Sequence, residues 1–275
     1  MLNDADIRAF EPDAKIALLA TSDAGGLPRL SLITTIQAKT STSLMWGQFC
    51  EGESKQNVQR RPKTGFLVMN AERELWRGKA RWTGLVREGE DYELYNHRPI
   101  YRYNTYFGIH TVHYMDLVSV TPKGSLSLPR IGVGAVGARL AAPFAGKGEG
   151  KRALSSFSRE LIGGMATLRF LSFVGEDGFP WIVPVVPAHP ASDSRLVIAA
   201  TVYRDELERI PQGASVALFA MNMDMQSVLV RGSFSGVHPC GTATLDVDWV
   251  YNSMPPLPGV VFPRPELKAV RDFGI

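Results

Sequence analysis

Two acidic–glycine turns set 152 residues apart constrain this chain more than any other feature: Asp23-Ala24-Gly25-Gly26-Leu27-Pro28 and Glu176-Asp177-Gly178-Phe179-Pro180. Each lies between β-prone apolar runs, Ile16-Ala17-Leu18-Leu19-Ala20-Thr21 before the first and Ala166-Thr167-Leu168-Arg169-Phe170-Leu171 before the second. A turn of this chemistry between two such runs signals a hairpin. Residues 30–36 and 182–186 are then the return strands. The offset of 152 holds at Gly26/Gly178, Pro28/Pro180 and Asn70/Asn222. The chain therefore carries an internal repeat, and any fold for it must be built twice.

Both copies continue in the same order. A polar turn enters a third strand at residues 41–46 and 192–197. Helix-like segments at 54–61 and 204–210 each stop before a proline, Pro62 and Pro211, which cannot continue a helix. A fourth strand follows at 65–70 and 216–222. A fifth carries Arg77-Gly78-Lys79 and Arg231-Gly232-Ser233, and further strands are expected at 115–121 and 243–251. Residues 151–165 are expected to be helical and to match a helix near 4–10. The glycine-rich segment 132–150 reads as a linker, which divides the chain into copies at 1–131 and 151–275. The expected class is mainly β with short helices, a small antiparallel barrel repeated in tandem.

Composition removes several function classes. The chain has 275 residues, suited to two domains. Its net charge of +3 and scattered basic residues are a poor match to nucleic-acid phosphates. The 2 cysteines, Cys50 and Cys240, make neither a disulfide framework nor a cysteine zinc site. The acidic start Met1-Leu2-Asn3-Asp4 is unlike a signal peptide. The low-charge run 131–146 is too short to span a bilayer. A cytoplasmic protein with neither nucleic-acid nor membrane partners is expected.

The order of elements, together with Gly26-Leu27-Pro28, Ser54-Lys55-Gln56-Asn57-Val58-Gln59-Arg60-Arg61-Pro62 and Phe66-Leu67-Val68-Met69, resembles the FMN-binding split-barrel superfamily of the pyridoxamine 5′-phosphate oxidases. Residues 14–84 carry the resemblance best, and the second copy repeats the layout with weaker motifs. The resemblance implies two split barrels that form a pseudo-dimer within one chain, or pair with counterparts in a homodimer. It also implies FMN in the groove between barrels. Haem and deazaflavin are alternative cofactors within such folds. The implied activity is an FMN-dependent oxidoreductase acting on a small-molecule substrate. The alternatives are a haem-binding or haem-degrading protein, and a non-catalytic binding protein.

A flavin phosphate requires N–H groups, hydroxyls and cations converging near a helix N-terminus. By the resemblance, Ser31, Leu32, Ile33 and Thr34 on the return strand and Ser54, Lys55 and Gln56 at the helix start are the cofactor contacts. Arg29 and Arg77 are candidates for added positive charge. The hydroxyl residues also have a plain structural reading, as strand formers and as an N-cap. This chain departs from the best-known oxidases, which use Arg and Lys where Ser31 and Ile36 stand here. Glu51 and Glu53 also crowd the helix start, an unfavourable place for an anion. In the second copy, residues 181–187 offer no hydroxyl or cation, and Pro184 and Pro187 imply an irregular or edge strand. Phosphate anchoring is therefore expected from the first copy, with Trp181 on the partner face.

Aromatic and basic residues are dense at 92–114: Tyr92, Tyr95, His97, Arg98, Tyr101, Arg102, Tyr103, Tyr106, Phe107, His110, His113 and Tyr114. Such groups suit a flat ligand. Packing asks for the same composition and is the preferred reading. No metal-ligand set, nucleophile elbow, P-loop or dinucleotide fingerprint in a βαβ context accompanies them. No general acid or base is nominated, because a flavin carries the electrons itself.

Overall fold

The computed structural model describes residues 1–49, 52–98, 108–148, 152–253 and 259–265. The first copy comprises α1 (Asp4–Ala9), β1 (Ile16–Ser22), β2 (Pro28–Leu32), β3 (Gln37–Thr40), β4 (Ser43–Gln48), α2 (Glu53–Arg60), β5 (Lys63–Met69), β6 (Glu74–Val86), α3 (Glu90–His97), β7 (Thr111–Val120) and β8 (Gly124–Ser125). Helix α4 (Leu128–Ala141) and a 3-10 turn (Ala142–Phe144) lead to the second. That copy comprises α5 (Ser156–Gly163), β9 (Leu168–Val174), β10 (Pro180–Val183), β11 (Ala188–Pro190), β12 (Arg195–Ala199), α6 (Arg204–Leu207), β13 (Ser215–Met221), β14 (Ser227–Phe234), β15 (Thr242–Asn252) and β16 (Gly259–Phe262).

The two sheets run β2-β1-β5-β6-β7-β4-β3 and β10-β9-β13-β14-β15-β12-β11, one permutation used twice. All pairings within these orders are antiparallel. The protein is two tandem split barrels of mainly β structure. Their hairpins share one turn geometry. Gly26 and Gly178 sit at φ 81° and 76°, where a side chain would be strained, and their N–H groups donate to the carbonyls of Asp23 and Gly175.

Strand periodicity explains how the barrels join. Along β1, Ala17 and Leu19 enter the first barrel's own core, while Leu18 and Ala20 enter a second cluster. Along β13, Val216, Leu218 and Ala220 fill the second barrel, while Ala217, Phe219 and Met221 enter that same second cluster. Alternate residues point to opposite faces. Both faces of these strands are buried, so they read as unbroken apolar runs rather than as alternating ones. The shared cluster is the seam of an intrachain pseudo-dimer. Its contacts are reciprocal: β2 lies on β13, β9 and β14, and β10 lies on β5, β1 and β6.

Several segments depart from the expectations, and the helices expected at 151–165 and 204–210 are shorter, at Ser156–Gly163 and Arg204–Leu207. Residues 30–36 do not form one strand, because β2 ends at Leu32 and a turn follows at 34–35. There Thr35 Oγ1 donates to the Gly47 carbonyl at 2.8 Å and accepts from the Gly47 N–H at 3.1 Å, fixing the bend. The glycine-rich segment 132–150 contains most of α4. Glycine costs helix stability, but Gly134 faces β-structure so closely that a Cβ there would meet Thr201 Oγ1 at 2.3 Å and Pro187 Cγ at 2.7 Å. The glycine permits α4 to lie on β11 and β12. In the second copy, β10 ends at Val183, just before Pro184, as a proline-limited strand must.

Candidate functional site

A groove of about 500 Å³ opens at the seam, within the range of small-molecule sites. One wall comes from the first copy: residues 29–33 along and just beyond β2, and 52–55 at the start of α2. The other comes from the second copy: Phe219, the β13–β14 turn at 224–227, Tyr251 and Ser253. The wall of Leu30, Phe219 and Tyr251 is apolar, whereas Ser31, Ser54, Lys55, Gln226 and Ser227 bring polar groups. Among the described residues no side chain caps the first turn of α2, which begins after Gly52. The backbone donors and positive dipole end of that helix lie at the groove.

Arg29 organises the floor. It is only 5% exposed, and its guanidinium lies 4.8 Å from the Trp249 ring centroid and 4.6 Å from that of Tyr251. Trp249 and Tyr251 are two apart on β15, so they share a face, and their rings stack at 5.4 Å with an 11° tilt. Arg29 also pairs with Glu53 of α2. Burial lowers the Arg29 pKa, and Glu53 opposes that shift. Beyond Trp249, Arg231 lies 4.7 Å from the ring and donates to Asp23 at 2.8 Å. Cations from both copies thus flank rings of the second, each matched by a carboxylate of the first.

The candidates from the sequence separate in space. Arg29, Ser31, Leu32, Ile33, Ser54 and Lys55 line the groove. Thr34 lies in the turn after β2, and Gln56 is exposed on α2 beyond the lining residues. Arg77 belongs to the other side of the pseudo-dyad. It forms a two-bond ion pair with Glu206 at 2.6 and 2.7 Å and donates to the Ile182 carbonyl at 3.0 Å. Trp249, Tyr251, Phe219 and the β13–β14 turn are additions that only the fold assembles. Their one signal in the sequence is the alternation Val247, Trp249, Tyr251 in the last long strand.

The quasi-equivalent groove is differently built. Trp181 stands at the register of Arg29, and its indole Nε1 donates to Glu206 at 2.7 Å. Arg77 lies 5.1 Å from the Trp181 ring, so the cation here comes from the opposite wall. Leu126 and Ile131 pack on the seam cluster, and Arg130 donates to the Thr201 carbonyl at 2.9 Å. A cavity of about 520 Å³ remains beside Arg77, Tyr203 and Arg209. A wider one of about 730 Å³ flanks the β9–β10 hairpin, where Lys79 pairs with Asp177. Neither joins a helix start to hydroxyl groups of its own return strand as the first groove does.

The aromatic segment packs where it is described. Tyr92, Tyr95 and Tyr114 cluster with Met45, Ile109 and Val112, and the Tyr95 hydroxyl donates to the Thr35 carbonyl at 2.8 Å. Tyr101, Arg102, Tyr103, Tyr106 and Phe107 lie outside the described residues. His113 is buried, stacked on Trp46 at 3.8 Å, and both ring nitrogens are engaged. Nδ1 lies 3.2 Å from the donating Trp82 indole, and Nε2 lies 2.7 Å from Gln48 Oε1. Burial, with Lys55 and His110 adding to it, pushes its pKa down to about 3. His110 is exposed, with Nδ1 2.8 Å from Thr111 Oγ1. Among the described residues no group of three His, Cys, Asp or Glu side chains is placed to hold a metal. No helix among them is long and apolar enough to cross a membrane.

No family model and no curated protein matches the sequence. Among solved structures, an FMN-binding protein from Syntrophomonas wolfei is similar at 14% identity and a TM-score of 0.39, over 44% of this chain and 84% of that one. HupZ from Group A Streptococcus is similar at 15% identity and a TM-score of 0.36, over 44% of this chain and 92% of its own. An F420 reductase is similar at 12% identity and a TM-score of 0.35, over 44% and 98%. Each match spans a length close to that of one copy of the repeat.

Proposed function

We propose that the first groove holds FMN and that the chain is a flavin-dependent oxidoreductase acting on a small molecule. The observation that carries this reading is the joining of an uncapped helix start, two serines and a lysine from one copy to an apolar and aromatic wall from the other. That donor set fits a flat ring with an anionic tail. Glu53 is paired with Arg29, and the donors offered to an anion are the first-turn N–H groups of α2, the Ser31 and Ser54 hydroxyls and Lys55, with the Asp224 carboxylate also on the groove wall. Ser31, Ser54 and Lys55 would hold the phosphate, and Leu30, Phe219 and Tyr251 would line the ring. A bound isoalloxazine would supply the electron transfer. In this reading the copies at 1–131 and 151–275, joined through 132–150, act as one cytoplasmic unit with a single flavin groove.

Titration of the purified protein with FMN, followed by quenching of flavin fluorescence, tests the reading. Lys55→Gln is expected to weaken binding by about tenfold or more, the scale of a hydrogen bond to a charged group. Glu206→Gln, in the quasi-equivalent groove, is expected to leave FMN affinity unchanged. Absence of binding would count against the proposal. So would binding that Glu206→Gln abolishes and Lys55→Gln spares.

A further inference from the structure

Helix α4 is apolar on two faces. Its inner face, with Gly134 and Ala138, is buried on the second barrel. Its outer face exposes Val133 (69%), Val136 (51%) and Leu140 (67%), and Phe144 in the following turn is 89% exposed. At 3.6 residues per turn, Val133, Val136 and Leu140 fall within a sector of about 60°. Arg130 and Arg139 lie on either side of that stripe. Other exposed apolar side chains, such as Val118 and Met165, lie on other parts of the chain, whereas Val133, Val136, Leu140 and Phe144 form a continuous ridge on one helix and its following turn, which marks a contact surface.

The charge around the ridge indicates what covers it. Residues 117–148 contain no Asp or Glu, and Glu149 follows them in the sequence; of their four cations Lys123 is paired with Glu74, which leaves Arg130, Arg139 and Lys147 as the basic residues of the ridge segment. Asp246, which approaches Gly148, is already paired with Arg195, and Arg195 also donates to the Ala145 carbonyl. A second copy of the chain is a poor occupant, because two α4 faces in contact would set arginines against arginines with no carboxylate on either helix. A surface combining negative charge with apolar depth matches both properties. We infer that the outer face of α4 docks on an anionic lipid bilayer, lying in the headgroup plane with Val133, Val136, Leu140 and Phe144 directed into it. Arg139 and Lys147 remain at the level of the phosphates. The helix rests on the surface and does not cross it, and its backbone hydrogen bonds stay internal. This inference is independent of the flavin reading.

The test is co-sedimentation of the full chain with vesicles, either of phosphatidylcholine alone or of phosphatidylcholine containing phosphatidylglycerol. Binding is expected to the mixed vesicles and to fall as salt is raised. The double variant Leu140→Ser/Phe144→Ser is expected to lower partitioning by about tenfold or more. Arg139→Gln is expected to lower it by about fivefold. Val118→Ser, at an exposed apolar site on β7, is expected to bind as the parent does and so controls for general loss of hydrophobicity. Three outcomes would overturn the inference: no sedimentation with either vesicle, equal binding to neutral vesicles, or anionic binding indifferent to the double variant. A concentration-dependent dimer in analytical ultracentrifugation that the double variant dissociates would also overturn it, by assigning the ridge to a second copy.

Discussion

Replacing Tyr251 by Leu removes one of the two rings that enclose Arg29, and the structure fixes what that should cost. The guanidinium lies 4.6 Å from the Tyr251 centroid and 4.8 Å from that of Trp249, with Arg29 only 5% exposed. A cation over a ring contributes about 0.5–1 kcal/mol at a wet site and about 2 kcal/mol when desolvated. The burial here places the Arg29–Tyr251 term near about 1–2 kcal/mol. Neither single variant isolates it. Tyr251→Leu also loses ring burial, and Arg29→Met also strips the partner from Glu53. A double-mutant cycle of the two removes those side effects, provided each change acts alone elsewhere. The assay is urea unfolding of the parent, the two single variants and the double variant, at low and at high salt. A buried contact is screened little, so the coupling should persist in salt. Because Arg29 belongs to the first copy and Tyr251 to the second, it also measures the seam. A coupling energy below about 0.3 kcal/mol, the level at which independent sites add, would refute the argument that these rings hold the cation.

Three further outcomes follow from the packing. In α4, Gly132→Ala meets open space and is expected to stabilise the protein by about 0.5–1 kcal/mol through helix propensity. Gly134→Ala drives a methyl group into Thr201 and Pro187 and is expected to destabilise it by about 1–3 kcal/mol, so opposite shifts in melting temperature are the check. His113 has a folded-state pKa of about 3, below its unfolded value, so the unfolded chain takes up a proton that the folded chain refuses. Stability should therefore fall as pH drops from about 6.5 toward 3, by about 2 kcal/mol at pH 5 from this group. His113→Phe should flatten that slope in urea unfolding between pH 7 and 5, and an unchanged slope would remove His113 as its source.

The sequence made the repeat legible because its signals are local. An acidic–glycine turn, a proline after a helix and an unbroken apolar run each depend on residues close along the chain, and they located both hairpins and α2. The unbroken apolar runs of β1 and β13 match their burial on both faces, but only the structure shows that burial. What the glycines of α4 were for could not be read from the sequence. Gly134 has the composition of a linker until Pro187 and Thr201 are known to lie against it. Likewise, residues 30–36 have β-branched character throughout, and only the bond of Thr35 to Gly47 shows why the chain bends among them.

For the candidate site the division is clearer still. Ser31, Ser54 and Lys55 could be picked out in advance, because a strand after a hairpin and a helix start are local features. Arg29 and Arg77 looked alike in the sequence, as basic residues on strands of one copy. Tertiary structure gave the first to Trp249, Tyr251 and Glu53, and the second to Glu206 on the far side of the pseudo-dyad. By itself the sequence determined that one barrel is built twice. The sequence also pointed to the first copy for the polar end, but only the packing of the two barrels decided which residues face it, because each groove takes one wall from either copy and neither copy contains a whole one.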